Sequence, residues 1–131
     1  MNALRWIAGL MMLMALMLAQ AAEPAGKGQP LPEDGGEPGK VVLALMAAQR
    51  SGDFEQWKTW MHPRVWQGKE EALQSMLERG KKYSPTAERI LGGTIDGDHA
   101  TIKIEASFPS ASRTTDADLE KYEGKWRVTR I

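Results

Sequence analysis

Apolar positions in this chain keep a helical period up to about Pro85 and a period of two beyond it. From Lys40 to Arg50 the chain reads Lys-Val-Val-Leu-Ala-Leu-Met-Ala-Ala-Gln-Arg, closed by Ser51-Gly52. A helix that is apolar around most of its circumference is a buried one. Asp53 follows as an N-cap with Gln56 at the capping-box spacing, which predicts a second helix stopping near His62-Pro63. Trp57, Trp60 and Met61 fall on one face of it. A third helix is predicted from Lys69, because Ala72, Leu73, Met76, Leu77 and Gly80 follow the spacing of an amphipathic stripe. Tyr83-Ser84-Pro85 ends it.

After Pro85, Ala100, Ile102, Ile104, Ala106 and Phe108 alternate with Thr101, Lys103, Glu105 and Ser107, the pattern of a strand with one buried face. Asp96-Gly97 before it is a two-residue hairpin signal. Pairing across that turn sets odd-numbered residues opposite even-numbered ones, so Leu91, Gly93 and Ile95 are expected to share a face with Ile102 and Ala100. Gly92-Gly93 inside the first strand predicts a bulge or sharp bend, since glycine adds no cross-strand packing. Further strands are expected at about 113–122 and 125–131, joined near Glu123-Gly124. The register of this last hairpin is left open. The fold class is therefore α+β: three N-terminal helices packed against a strongly bent antiparallel sheet of about four strands.

The start of the chain carries a different signal. Arg5 leads into thirteen apolar or small residues, Trp6 to Leu18, followed by Ala19-Gln20-Ala21. That is the layout of a cleavable export signal, with residues 1–21 removed after Ala21. A membrane-spanning helix needs about 20 apolar residues, and Gln20, Glu23 and Pro24 close this run early. The expectation is a periplasmic or secreted domain with no stable membrane anchor. Residues 22–39 read as a flexible Pro/Gly-rich linker, because Glu23 to Gly39 holds four prolines and five glycines but only Ala25 and Leu31 as apolar side chains. Residues 40–131 then form one domain.

The chain has no cysteine, which removes disulfides, thiol nucleophiles, thiolate metal sites and a lipoprotein anchor. Lys plus Arg and Asp plus Glu balance at 17 each, so no basic excess points to nucleic acid.

Three segments carry a resemblance. Ser51-Gly52-Asp53-Phe54-Glu55-Gln56-Trp57, continuing to Trp60-Met61-His62-Pro63-Arg64-Val65, resembles the first-to-second helix segment of the nuclear transport factor 2-like superfamily. Glu123-Gly124-Lys125-Trp126-Arg127-Val128 is similar to its final hairpin, and Gly97 to Ile102 to its central one. The resemblance implies a cone: a bent sheet wrapping a long N-terminal helix and enclosing a pocket. Superfamily members include isomerases, dehydratases, cyclases, ligand binders and docking modules, so the fold does not fix the function.

No residue here matches a catalytic pattern. His62, His99, Tyr83 and Tyr122 are isolated candidates, with His62 read as a helix-end residue or at the pocket rim and His99 as exposed. Asp116, Asp118 and Glu120 alternate and could line one strand face, but no glycine-bearing calcium loop accompanies them. The aromatics say more: Trp57, Trp60 and Trp66 lie within ten residues of one another. Burying each removes on the order of 200 Å² from water. Core packing accounts for most of that, and one or two of them at a pocket mouth would stack on an apolar or aromatic ligand. The reading is an exported, non-enzymatic binding or accessory domain, with Trp57, Trp60, Trp66 and His62 as candidate ligand-binding residues and neither metal nor cofactor. The alternative is a protein-interaction module, dimerising through the open sheet face. A small-molecule isomerase, cyclase or hydrolase comes third.

Overall fold

The structure is a computed structural model and describes residues 28–131. The expected export signal and the first residues of the linker lie outside the described residues. Five strands form one antiparallel sheet in sequence order: β1 (Gln29–Pro30), β2 (Ala87–Asp96), β3 (His99–Ser107), β4 (Ser112–Tyr122) and β5 (Lys125–Arg130). Among the described residues four helices, α1 (Gly36–Ser51), α2 (Phe54–Trp60), α3 (Pro63–Trp66) and α4 (Glu70–Gly80), precede β2, with one 3-10 turn at Lys81–Tyr83. Among the described residues no helix is long and apolar enough to cross a membrane.

Where the linker was expected, residues 28–39 are part of the fold. Gln29 and Pro30 pair with Ile95 and Thr94 of β2, and the Leu31 N–H donates to the Gly93 carbonyl at 2.8 Å. These bonds are made by the backbone, which a composition-based reading does not see. α1 also begins four residues earlier than expected, and Pro38 and Gly39 in its first turn are buried.

α1 supplies Val42, Leu45, Met46 and Ala48 to the core, and α2 supplies Phe54, Trp57 and, just past its end, Met61. The sheet answers with Ala100, Ile102, Ile104, Ala117, Leu119, Trp126 and Val128. Val42, Leu45, Ile102, Ile104, Leu119 and Val128 are fully buried, so side chains fill the space between α1 and the sheet.

The glycine pair bends β2 as expected, with one consequence for phase. Ile95 faces Ala100 and Gly93 faces Ile102, but past the bulge Ile90 faces Ile104. Gly92 takes φ +119°, a conformation open to glycine, and a Cβ on Gly93 would collide with the Thr101 carbonyl and the Ile102 side chain. The expected inward placement of Leu91 is therefore corrected. Leu91 is the extra residue of the bulge and is 39% exposed, while Ile90 packs on the core. The last hairpin pairs Tyr122 with Lys125 across Glu123 and Gly124, both at positive φ as a type I′ turn requires. A second bulge falls at Asp118/Leu119.

Candidate ligand-binding cleft

The Asp53 carboxylate accepts from the Gln56 N–H at 3.2 Å and starts α2, which places Trp57 on Phe54 with ring centroids 5.7 Å apart and planes 17° from parallel. Trp57 is 7% exposed. On its outer side lies a cleft of about 250 Å³ lined by Gln49, Trp57, Leu73, Met76, Leu77 and Tyr83, with Gly80, Ser84 and Pro85 completing its wall. No strand residue contributes, so this is a cleft between α1, α2 and α4 and is separate from the filled interior of the cone. Among the described residues no charged side chain lines it. Its inner wall is Trp57, and its outer wall is the apolar stripe of α4.

α4 is held in an unusual way. None of its eleven residues is buried, and Met76 on its cleft side is 56% exposed. At its first residue Glu70 accepts from the Lys58 amine at 3.1 Å. That amine also pairs with Glu55 at 3.3 Å and sits 5.2 Å from the ring centroids of both Phe54 and Trp66. The hydrogen bond to Glu70 raises the Lys58 pKa, partly offset by desolvation.

The four candidate residues do not converge. Trp57 lines the cleft; Trp60 and Trp66 are partly buried against the core and do not line it. His62 goes elsewhere because the helix stops before it. Met61 is extended and bridges Val128 of β5, and the His62 N–H donates to the Val128 carbonyl at 2.8 Å. His62 then caps α3, its Nδ1 accepting from the Arg64 N–H at 3.1 Å, and its ring lies 4.9 Å from that of Tyr122. Burial, followed by the nearby Arg64 guanidinium, lowers the His62 pKa below its ordinary value. The imidazole is neutral at pH 7 with Nδ1 occupied, which suits a cap better than a general base.

Beside it, Glu120 pairs with Arg64 and, at 3.3 Å, with His99. The hydrogen bond from Arg64 holds the Glu120 carboxyl below its usual range. Asp118 pairs with Arg130 at 2.6 Å and accepts from Thr101 at 3.3 Å. Of the alternating acids, Asp118 and Glu120 are thus partnered, and no three metal-ligating side chains cluster among the described residues. Tyr83, at the cleft, and Tyr122, beside His62, are not brought together.

Sequence reasoning missed two features. The stripe Leu73, Met76, Leu77 is visible as amphipathic, but only the fold shows that it lines a cleft together with Trp57 while Leu73 and Leu77 pack against the core. Glu88 of β2 was invisible. The bulge at Leu91 turns it inward opposite Ala106, and its side chain is 8% exposed and paired with Arg50, with Oε1 unpartnered among the described residues.

No family model and no curated protein sequence matches this chain. Solved structures do match, 11 chains in all. A Campylobacter jejuni protein that carries the provisional name NTF2-like transpeptidase superposes with a TM-score of 0.60 at 15% identity, over 72% of this chain and 98% of its own. An NTF2-like protein of unknown function from Burkholderia xenovorans gives 0.47 at 14% identity, over 72% and 84% of the two chains. One from Shewanella oneidensis gives 0.47 at 12%, over 69% and 89%. With its helices packed on a bulged antiparallel sheet and the Campylobacter likeness over nearly that chain's whole length, this chain has the NTF2-like fold.

Proposed function

We propose that this domain binds a small apolar or aromatic molecule in the cleft between Trp57 and α4, as an exported accessory or binding protein free in the periplasm or outside the cell. The observation that carries this reading is the cleft itself, with Trp57 as inner wall and Leu73, Met76 and Leu77 as outer wall. Apolar walls with a few polar groups are the usual makeup of small-ligand sites, and the volume lies just under the common range of roughly 300–1,000 Å³. A small ligand suits it.

Catalysis is the less supported reading, because among the described residues no carboxylate, histidine or lysine lines the cleft. A dimerising module would use the sheet face turned away from the helices. That face is rich in charge, with ion pairs such as Arg89–Glu105 at 3.2 Å and Arg130–Asp118 at 2.6 Å, and a standard interface core is depleted in charge.

Thermal-shift measurements on residues 22–131 with small aromatic and aliphatic compounds test the binding reading. Compounds that fit the cleft raise Tm in a concentration-dependent way. A flat response from the whole set contradicts it, and sedimentation equilibrium showing a stable dimer favours the interaction module instead.

A further inference from the structure

A second cavity adjoins the cleft. It has a volume of about 630 Å³, inside the common range of roughly 300–1,000 Å³ for small-ligand sites. Lys82, Tyr83, Ser84 and Thr86 line it from the segment before β2, Phe108 from the β3–β4 loop and Arg113 from β4. Tyr83 and Ser84 line the cleft as well, so the two cavities are neighbours. Their chemistry differs. The groove has two cations in its wall and, among the described residues, no acid. Neither Lys82 nor Arg113 is in an ion pair among the described residues.

The placement of both cations has a physical cause. Arg113 pairs with Ala106 across β3 and β4, and directly opposed residues of an antiparallel pair project from the same face of the sheet. The inward row of β4 therefore runs Leu119, Ala117, Thr115, Arg113, and it passes from buried at Leu119 to exposed at its cationic end. The arginine thus leaves the sheet on the face that carries the core. The Lys82 amine lies 5.3 Å from the centroid of the Tyr83 ring, whereas its neighbour Lys81 is taken up by Glu78 at 3.4 Å. The groove is also built into the fold. The Thr86 N–H and Oγ1 both donate to the Ser107 carbonyl, at 2.8 and 3.0 Å, and tie the segment before β2 to the base of the β3–β4 loop. The Phe108 N–H donates to the Ala111 carbonyl at 2.7 Å and closes that loop.

We propose that this groove is a second binding site, for a small aromatic molecule bearing an oxyanion, a carboxylate or a phosphate monoester, held by Lys82 and Arg113 with its ring against Phe108. A guanidinium presents a planar fork that matches two oxygens of either group, and an ammonium adds a point charge. Phe108 is only partly buried and offers a ring face or edge to an aromatic partner. The site does not depend on the cleft, and a ligand in one leaves the other to be tested separately.

Benzoate, phenyl phosphate and benzyl alcohol share a ring and differ in the oxyanion. In titrations followed by ¹H–¹⁵N correlation spectra, the amides of residues 110–113 shift saturably with the two anions, which bind about tenfold more tightly than the alcohol, the order of one charge-assisted hydrogen bond. Added sodium chloride weakens the anions and not the alcohol. The tighter of the two anions identifies the headgroup. Arg113→Gln and Lys82→Gln, both at exposed positions, keep the parent's Tm and each reduce the preference for the anions, and the double variant abolishes it. Lys81→Gln, which removes a neighbouring cation already paired with Glu78, leaves it unchanged. Equal affinity of all three compounds, a preference that survives in the double variant, or anion binding that leaves the amides of 110–113 still overturns the proposal. Binding of none of the three overturns it as well, while a response of the cleft to uncharged compounds would leave the reading above standing.

Discussion

The Lys58 amine on α2 donates to the Glu70 carboxylate at the first residue of α4 at 3.1 Å, while the same amine covers the faces of Phe54 and Trp66. One cation thus ties the outer wall of the cleft to the helix that carries Trp57. Lys58→Met keeps the apolar stem and removes the tie. An ion pair whose partners still reach solvent contributes little to global stability, so the variant keeps nearly the parent's denaturation midpoint. Its α4 amides exchange faster while those of α1 do not. Unchanged exchange in α4 would show that the pair is incidental.

Trp57→Ala empties a stacked, 7%-exposed position and costs about 3–5 kcal/mol in chemical denaturation. Trp60 is only partly buried, and Trp60→Ala costs roughly half as much on an area basis. Equal losses from the two would mean that Trp60 packs more deeply than its place at the core margin implies.

His62 and Glu120 give stability a defined dependence on acid. Burial lowers the His62 pKa from its ordinary 6.5, so the unfolded chain takes up a proton before the native one does. Stability is full above pH 6.5 and falls as pH drops from there through the folded value, where a proton on Nδ1 breaks the cap to Arg64. Glu120, held below its ordinary 4.5 chiefly by Arg64, adds a second loss that begins beneath that pH. Urea titrations of the parent and His62→Gln between pH 7.5 and 5 isolate the first step. It disappears in the variant; a slope that survives the substitution would assign it elsewhere.

The Glu88 side chain is 8% exposed and its charge is balanced by Arg50. Arg50→Met strands that carboxylate and destabilises the protein by about 1–3 kcal/mol, while Arg50→Met combined with Glu88→Leu recovers most of the loss. Failure of the double variant to recover would indicate that Glu88 has a further partner.

Much of this architecture was legible in the chain. Asp53 with Gln56 marked the start of α2, Asp96-Gly97 marked the β2–β3 turn to within one residue, its loop being Gly97 and Asp98, and period two marked β3, because each of these signals is local. β1 was illegible because Gln29 and Pro30 enter the sheet by backbone alone, within a segment whose side chains read as linker. Leu91 and Glu88 were lost to a single cause: glycines announce a bulge, but only the partner strand decides on which side of it the phase changes. The candidate site was half legible. Trp57 could be named from its spacing, whereas its opposition to Met76 depends on how α4 folds back, which no local pattern encodes. His62 was readable as a helix-end residue, but its placement beside Tyr122 follows from Met61 pairing with Val128, a contact between residues far apart in sequence.

The account stands or falls on the cleft between Trp57 and α4, and Met76 reports on it directly. With ¹³C-methyl-labelled methionine, residues 28–131 give three reporters, of which Met46 and Met61 are buried in the core and Met76 lines the cleft. Titration with acetophenone moves the Met76 methyl resonance saturably and leaves Met46 and Met61 nearly still. A Met76 resonance that does not move up to millimolar acetophenone, or saturable movement confined to Met46 and Met61, would contradict a binding site at this cleft.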